Sequence, residues 1–297
     1  MTGTHRHGLL AWTAFAVAAL GLAPLAKKLA LDGSAQPLPL AVASAWIAAL
    51  GVVGWLALRG RLARLANLSR RGYAAILTVG ALGSGAVPLL AVLAMTETTA
   101  SNRALFQSAY PAATAVAARL LLGERLAKPA YALIGLVCVG LALVNVEFDA
   151  AGAALRWPFW ALLATLPLIG LADVVAKRSL NTLSPEVVAA GRALGGALVL
   201  LLAVPLIDAG DWAGLYPVLF WVVLAGLSMA GFAIALYRVF ERTQASIAAS
   251  LIALAPLLTL VMERWLLDTV PGPLQLIGFA IVLAAVAALS RRAHRAE

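Results

Sequence analysis

The sequence predicts an all-α integral membrane protein: ten transmembrane helices built as two inverted five-helix repeats. Three observations predict it. Hydrophobic residues make up 63% of the 297 positions and charged residues only 12%, against about a quarter charged in soluble domains. The apolar runs are mostly about twenty residues long, enough for a helix to cross roughly 30 Å of hydrocarbon. Landmarks of the first half recur in the second at a nearly constant offset. Strand-type alternation is absent, which argues against an outer-membrane barrel.

The first five spans fall at 8–27, 38–58, 73–95, 99–122 and 130–147, within a first repeat of residues 1–150. The second five fall at 157–176, 185–207, 213–236, 243–266 and 272–290, within a second repeat of residues 151–297. Span one follows T-H-R-H-G and is followed by Lys27-Lys28 with no convincing cleavage site, so it reads as an uncleaved span rather than a signal peptide. Spans two and seven open near Pro39 and Pro185. Span five holds the single cysteine, Cys138, which excludes an intramolecular disulfide and reads as an inert packing thiol. Connections are short, and none could form a soluble domain.

The formal net charge of +9 does not point to nucleic acid, because the arginines lie between apolar runs rather than in one basic domain. They read as loop charges that set orientation. With a cytoplasmic N-terminus, the inside loops hold Arg59, Arg61, Arg64, Arg70, Arg71, Arg119, Arg125, Lys128, Lys177, Arg178, Arg238 and Arg242. The outside segments hold Lys27, Lys28, Arg103, Arg156 and Arg264 with most of the acids: Asp32, Glu97, Glu147, Asp149, Asp208, Asp211, Glu263 and Asp268. Both termini are therefore expected in the cytoplasm of a bacterial inner-membrane protein.

The repeat is visible in L-G-L-A-P-L-A-K-K-L-A-L (20–31) and I-G-L-A-D-V-V-A-K-R-S-L (169–180), which agree at Gly21/Gly170, Lys28/Lys177 and three further positions. T-T-A-S at 98–101 answers T-Q-A-S at 243–246, and the same offset carries Pro111 onto Pro256 and Thr114 onto Thr259. Five spans per half is an odd number, so the second half enters the membrane from the opposite side. Secondary transporters are commonly built this way, with the substrate site near the midplane between the halves.

Residues 93–126, L-A-M-T-E-T-T-A-S-N-R-A-L-F-Q-S-A-Y-P-A-A-T-A-V-A-A-R-L-L-L-G-E-R-L, resemble the first-half signature of EamA-type members of the drug/metabolite transporter superfamily. Residues 235–261, A-L-Y-R-V-F-E-R-T-Q-A-S-I-A-A-S-L-I-A-L-A-P-L-L-T-L-V, resemble the second-half signature. The resemblance implies alternating access around a central cavity, lined by the first, third and fourth helices of each half. It also implies an arginine early in the second helix of each half. Arg192 takes that place in the second half, and Trp46 stands at the aligned first-half position. The G-E pair Gly123-Glu124 is replaced by Asp268-Thr269.

Ionisable groups within spans are functional candidates because they are costly there. Asp173 lies one turn before Lys177, and either Lys177 or Arg192 could pair with it; alternatively it meets a substrate ammonium or a coupling proton. Arg103, Gln107, Tyr110 and Thr114 recur at helical spacing along one face of span four. The aligned face of span nine, Ala248, Ile252, Ala255 and Thr259, is nearly all apolar, so the cavity is expected to be asymmetric. Arg103 could hold a carboxylate or phosphate, or pair with Glu97. Trp46 is a further candidate substrate contact, and Pro111 and Pro256 are candidate hinges.

No H-E-x-x-H, G-x-S-x-G or phosphate-binding glycine loop is present, so neither an enzyme nor a cofactor is expected. The expected function is export of small polar organic metabolites, such as amino acids and related zwitterions. The alternatives are a sugar-phosphate or nucleotide-sugar antiporter and a transport-inactive lipid-binding scaffold. Expected partners are a small-molecule substrate, membrane lipid and a possible coupling proton, in a monomer or homodimer.

Overall fold

A computed structural model of the chain describes residues 3–123, 126, 128–149, 152–206, 210–240 and 254–293. Helix α1 (Gly3–Gly33) is followed by α2 (Pro37–Leu58) and the single turn α3 (Ala63–Ala66). The third apolar run forms α4 (Arg70–Gly80), a π-helical segment (Ala81–Ala86) and α5 (Val87–Ala94). The fourth run is divided into α6 (Ala100–Ser108) and α7 (Tyr110–Leu122), and α8 (Lys128–Asn145) completes the first half. A two-stranded antiparallel hairpin, β1 (Val146–Asp149) and β2 (Gly152–Leu155), leads into the second half. There α9 (Trp157–Ser179), α10 (Pro185–Ala203), α11 (Leu219–Phe240), α12 (Ala255–Leu267) and α13 (Pro273–Ala293) follow.

Seven of the described helical segments are long and apolar enough to span a membrane. The sequence suggests ten, and the difference has identifiable causes. Proline lacks the N–H that a continuing helix needs, and the fourth run breaks at Ala109, two residues before Pro111. Of the ninth apolar run, expected at 243–266, the described residues begin at 254 and form the 13-residue α12. In α13 the apolar stretch, Pro273–Leu289, falls just short. Helix α1 also runs further than expected, so Lys27 and Lys28 lie inside it rather than in a loop.

Large apolar side chains such as Leu120, Leu202 and Phe220 are exposed on the outside, where lipid replaces water as the solvent. Cys138 belongs with them: it is exposed on α8, not packed inside as its chemistry suggests. Helix α8 buries Ala130 near its start and the stripe of Val137, Gly140, Leu141 and Val144, and lipid accepts a thiol as readily as a core does.

With no apolar driving force between helices in lipid, close backbone approach supplies the packing. A Cβ on Gly140 would lie 2.9 Å from the Gly278 carbonyl oxygen, and one on Gly80 would lie 2.7 Å from the Gly195 Cα. Glycines thereby bring α8 against α13, and α4 against α10. The main neighbour pairs form a symmetric set. Helix α1 packs on α11 and α12 as α9 packs on the α4–α5 run and α7. Helix α2 packs on α11 as α10 packs on α4, while α2 meets α10 and α8 meets α13.

The left-handed turns after α7 and α12 follow the same repeat. Gly123 ends α7 at φ 70° and Asp268 ends α12 at φ 51°, 145 positions later. Asp268 is the one non-glycine residue with positive φ among the described residues. Asp268→Gly is expected to be more stable than Asp268→Ala by about 1 kcal/mol, because only glycine adopts this conformation without steric cost. Both variants lose the exposed Arg264 contact, so their difference in thermal unfolding isolates the backbone.

Candidate functional site

Among the described residues, the polar side chains expected from the sequence fall into two clusters. The first joins Asp173 on α9, Thr114 on α7, Arg192 on α10 and Ser84 in the π-helical segment. The Thr114 hydroxyl donates to Asp173 Oδ2 at 2.7 Å, and Arg192 Nη1 donates to Asp173 Oδ1 at 3.3 Å. Arg192 Nε donates to Ser84 Oγ, also at 3.3 Å. The guanidinium lies flat over Gly83, where a Cβ would sit 2.7 Å from Nη2. The wider π turn thus presents both a hydroxyl and a bare backbone to the arginine. Segments of this kind are frequent at functional sites. The side chains of Arg192 and Asp173 are 29% and 30% exposed, so the pair borders an open space. Thr114 and Ser84 come from the first half, Asp173 and Arg192 from the second.

The repeat explains where the acid stands. Asp173 occupies the place of Pro24, and Thr114 that of Thr259. In the second copy the Thr259 hydroxyl donates to the Gly21 carbonyl at 2.7 Å. That carbonyl adjoins the one that Pro24 leaves without a helical donor. One threonine therefore serves a backbone oxygen beside a proline, and its counterpart serves a carboxylate.

The second cluster gathers Arg103 on α6, Tyr110 at the start of α7 and Lys27 on α1. Arg103 is only 8% exposed. Its guanidinium carbon lies 5.7 Å from the centre of the Tyr110 ring. Neither Arg103 Nη1 nor the Tyr110 hydroxyl has a hydrogen-bond partner among the described residues. Helix α1, which carries Lys27, packs against α6, so the two cations share one region of the interior. Lys28, by contrast, is matched by Asp32 at 2.9 Å and the Met95 carbonyl at 3.0 Å. Glu97 is exposed before α6, and among the described residues no ion pair joins it to Arg103.

Sequence reasoning placed Glu263 in an outside segment, and its role was missed. It is 1% exposed on α12 and accepts hydrogen bonds from the Ala100 and Ser101 amides at 2.6 and 2.9 Å. It therefore closes the N-terminus of α6. Thr99 accepts from the Asn102 amide at 3.1 Å as the N-cap, and the Asn102 side chain pairs with Asn145 at 2.6 and 3.1 Å. The signal was present as a threonine before span four and an acid inside the run L-L-T-L-V-M-E-R-W-L-L.

The stripe expected on span four is divided. Arg103 and Tyr110 stay together, Thr114 turns to Asp173, and Gln107 is half-buried between them. Trp46 joins neither cluster; it packs against the apolar group of Leu40, Val92, Leu200 and Val222. Pro111 and Pro256 occupy matching first-turn positions of α7 and α12. Ala248 and Ile252, the aligned face of span nine, lie outside the described residues, as do Glu124, Arg125 and T-Q-A-S at 243–246.

The model of the EamA-like transporter family matches the chain twice, over residues 8–146 and 155–291. No match is found among curated proteins. A solved structure titled only as the crystal structure of a protein superposes with a TM-score of 0.66 at 19% identity, covering 97% of this chain and 99% of that one. At that identity the likeness is one of fold.

Glu263→Ala is expected to lower stability by about 2–5 kcal/mol, since it leaves two buried amides unpaired. Glu263→Gln, which keeps one acceptor, is expected to fall between; thermal unfolding in nanodiscs reads both. Asp173→Asn and Arg192→Gln should each cost about 1–3 kcal/mol by stranding the partner charge. The double variant is expected to cost less than the sum, as a double-mutant cycle of unfolding measures directly.

Proposed function

This chain belongs to the EamA-like transporter family, and we propose that it is a secondary transporter that exports small polar organic metabolites by alternating access. Amino acids and related zwitterions are the leading substrate class. The observation that carries this reading is the half-exposed Asp173–Arg192 pair, held by Thr114 and Ser84. Its four members come from both halves, so rocking one half against the other breaks and re-forms the set. The symmetric neighbour pairs support two inverted repeats, residues 1–150 and 151–297, about a central cavity. Pro111 and Pro256, at matching helix starts, serve as hinges.

The distribution of Lys and Arg supports a bacterial inner-membrane protein with both termini in the cytoplasm. Its partners are the substrate and surrounding lipid, and Asp173 is the group to carry a coupling proton if one is used. The protein works as a monomer or homodimer. A second reading, antiport of phosphorylated or nucleotide-linked sugars, is favoured by one observation: Arg103 has a donor unpaired, on a helix that packs against the Lys27 helix.

Counterflow in proteoliposomes tests the proposal. Wild-type protein preloaded with unlabelled amino acids is expected to accumulate labelled substrate well above protein-free liposomes. Asp173→Asn and Arg192→Gln are expected to slow this by about tenfold or more, the scale of one lost charge-assisted contact. Counterflow equal to that of empty liposomes across amino acids and sugar phosphates would overturn the transporter reading.

A further inference from the structure

We propose that Arg103, Lys27 and the Tyr110 hydroxyl form a subsite for the anionic group of the substrate, a carboxylate or a phosphate. The transported status of that substrate rests on the reading above; the subsite itself rests on the charges within the helices. Arg192 is matched by Asp173, and Lys28 by Asp32. Glu263 is consumed by the α6 amides. Arg103 and Lys27 are left without a carboxylate among the described residues. An uncompensated cation inside a membrane protein is costly and marks a ligand or ion path.

The geometry selects the ligand. Arg103 is more than nine-tenths buried and its Nη1 has no partner; the Tyr110 hydroxyl is likewise unpartnered. Both offer donors, and an ionised carboxylate or phosphate offers only acceptors. The Tyr110 ring lies against the guanidinium, which limits its orientations and suits planar, two-point recognition of an oxyanion. Lys27 and Tyr110 are half-buried, whereas Arg103 Nη1 and the Tyr110 hydroxyl are buried, so a ligand reaches these donors when the surrounding helices shift. The cluster is one-sided in sequence: the aligned positions of Lys27 and Arg103 in the second half are Ala176 and Ala248. The anionic end of the substrate is therefore held by first-half residues alone, whichever way the halves rock.

Thermal unfolding of the full chain in nanodiscs tests this with succinate, glycerol 3-phosphate and the neutral isostere succinamide. Succinate or glycerol 3-phosphate is expected to raise the midpoint by several degrees, the larger shift naming the group, while succinamide leaves it unchanged. Arg103→Gln and Lys27→Gln are expected to bind the anion about tenfold more weakly or worse, and Glu97→Gln to bind as wild type. Without ligand, Arg103→Gln should be at least as stable as wild type, because it removes an uncompensated charge; a purely structural arginine would lower stability instead. Equal shifts with succinamide, anion shifts that survive in both variants, or no shift with either anion would overturn the subsite. Counterflow separates the two ideas. Arg103-dependent anion binding without transport leaves the subsite standing and sinks the transporter. Transport of succinamide that Arg103→Gln leaves intact does the reverse.

Discussion

A carboxylate from the second half closes on a helix of the first, and the polar side chains of that helix are placed from the contact. Glu263 is almost wholly buried, with its two oxygens on the Ala100 and Ser101 amides. A helix begins with amides that have no intrahelical partner, and the burial of Glu263 against them keeps water away. The negative charge also suits the positive end of the helix dipole. Each group thus removes the other's desolvation penalty. Helix α6 has only nine residues, too few to be stable by itself. Its start is fixed by Glu263, Thr99 and the Asn102–Asn145 pair, and from that start Arg103 and Gln107 take their places.

The sequence made the repeat legible and pointed to where the copies part. Pro24 against Asp173 was visible as a mismatch in a copied stretch, and the structure turns it into chemistry. Thr114 and Thr259, matched in sequence, serve a carboxylate in one copy and a backbone carbonyl in the other. The pairing of Asp173 with Arg192 was one of several open possibilities, because Lys177 lay one turn away on the same helix and Arg192 at a comparable depth on the next. Trp46 illustrates the opposite outcome: alignment with Arg192 made it a candidate, yet its surroundings are apolar.

What escaped the sequence did so for physical reasons. The π-helical turn at Ala81–Ala86 changes hydrogen-bond register without changing hydrophobicity, so an apolar-run reading sees an unbroken span. Glu263 has Arg264 and Trp265 after it, which reads as the end of a helix at the interface. Its burial depends on α6, 163 residues away in sequence, arriving beside it. Lys27 and Lys28 suggested a loop because two cations rarely continue a span. Inside α1 they have opposite fates: Lys28 is neutralised by Asp32 a turn later, and Lys27 has no carboxylate partner among the described residues.

The two clusters therefore differ in the property that matters for moving a solute. The Asp173–Arg192 set is internally neutral and drawn from both halves, so under the proposed alternating access its contacts would be the ones exchanged. The Arg103–Lys27 set is positive and drawn from one half, so in the proposed cycle it would travel as a unit and take its counter-charge from the ligand. A transporter needs both kinds of element: one that senses the relative position of the halves, and one that senses whether a ligand is present. Thr114 connects them. It lies on α7, one turn after Tyr110, and its hydroxyl is bound to Asp173. A ligand that reoriented Tyr110 would act on that helix at its first residue, beside Pro111 and the break at Ala109 where the backbone has least resistance. Binding at the positive cluster and rearrangement at the neutral one are thus mechanically adjacent, although no single residue belongs to both.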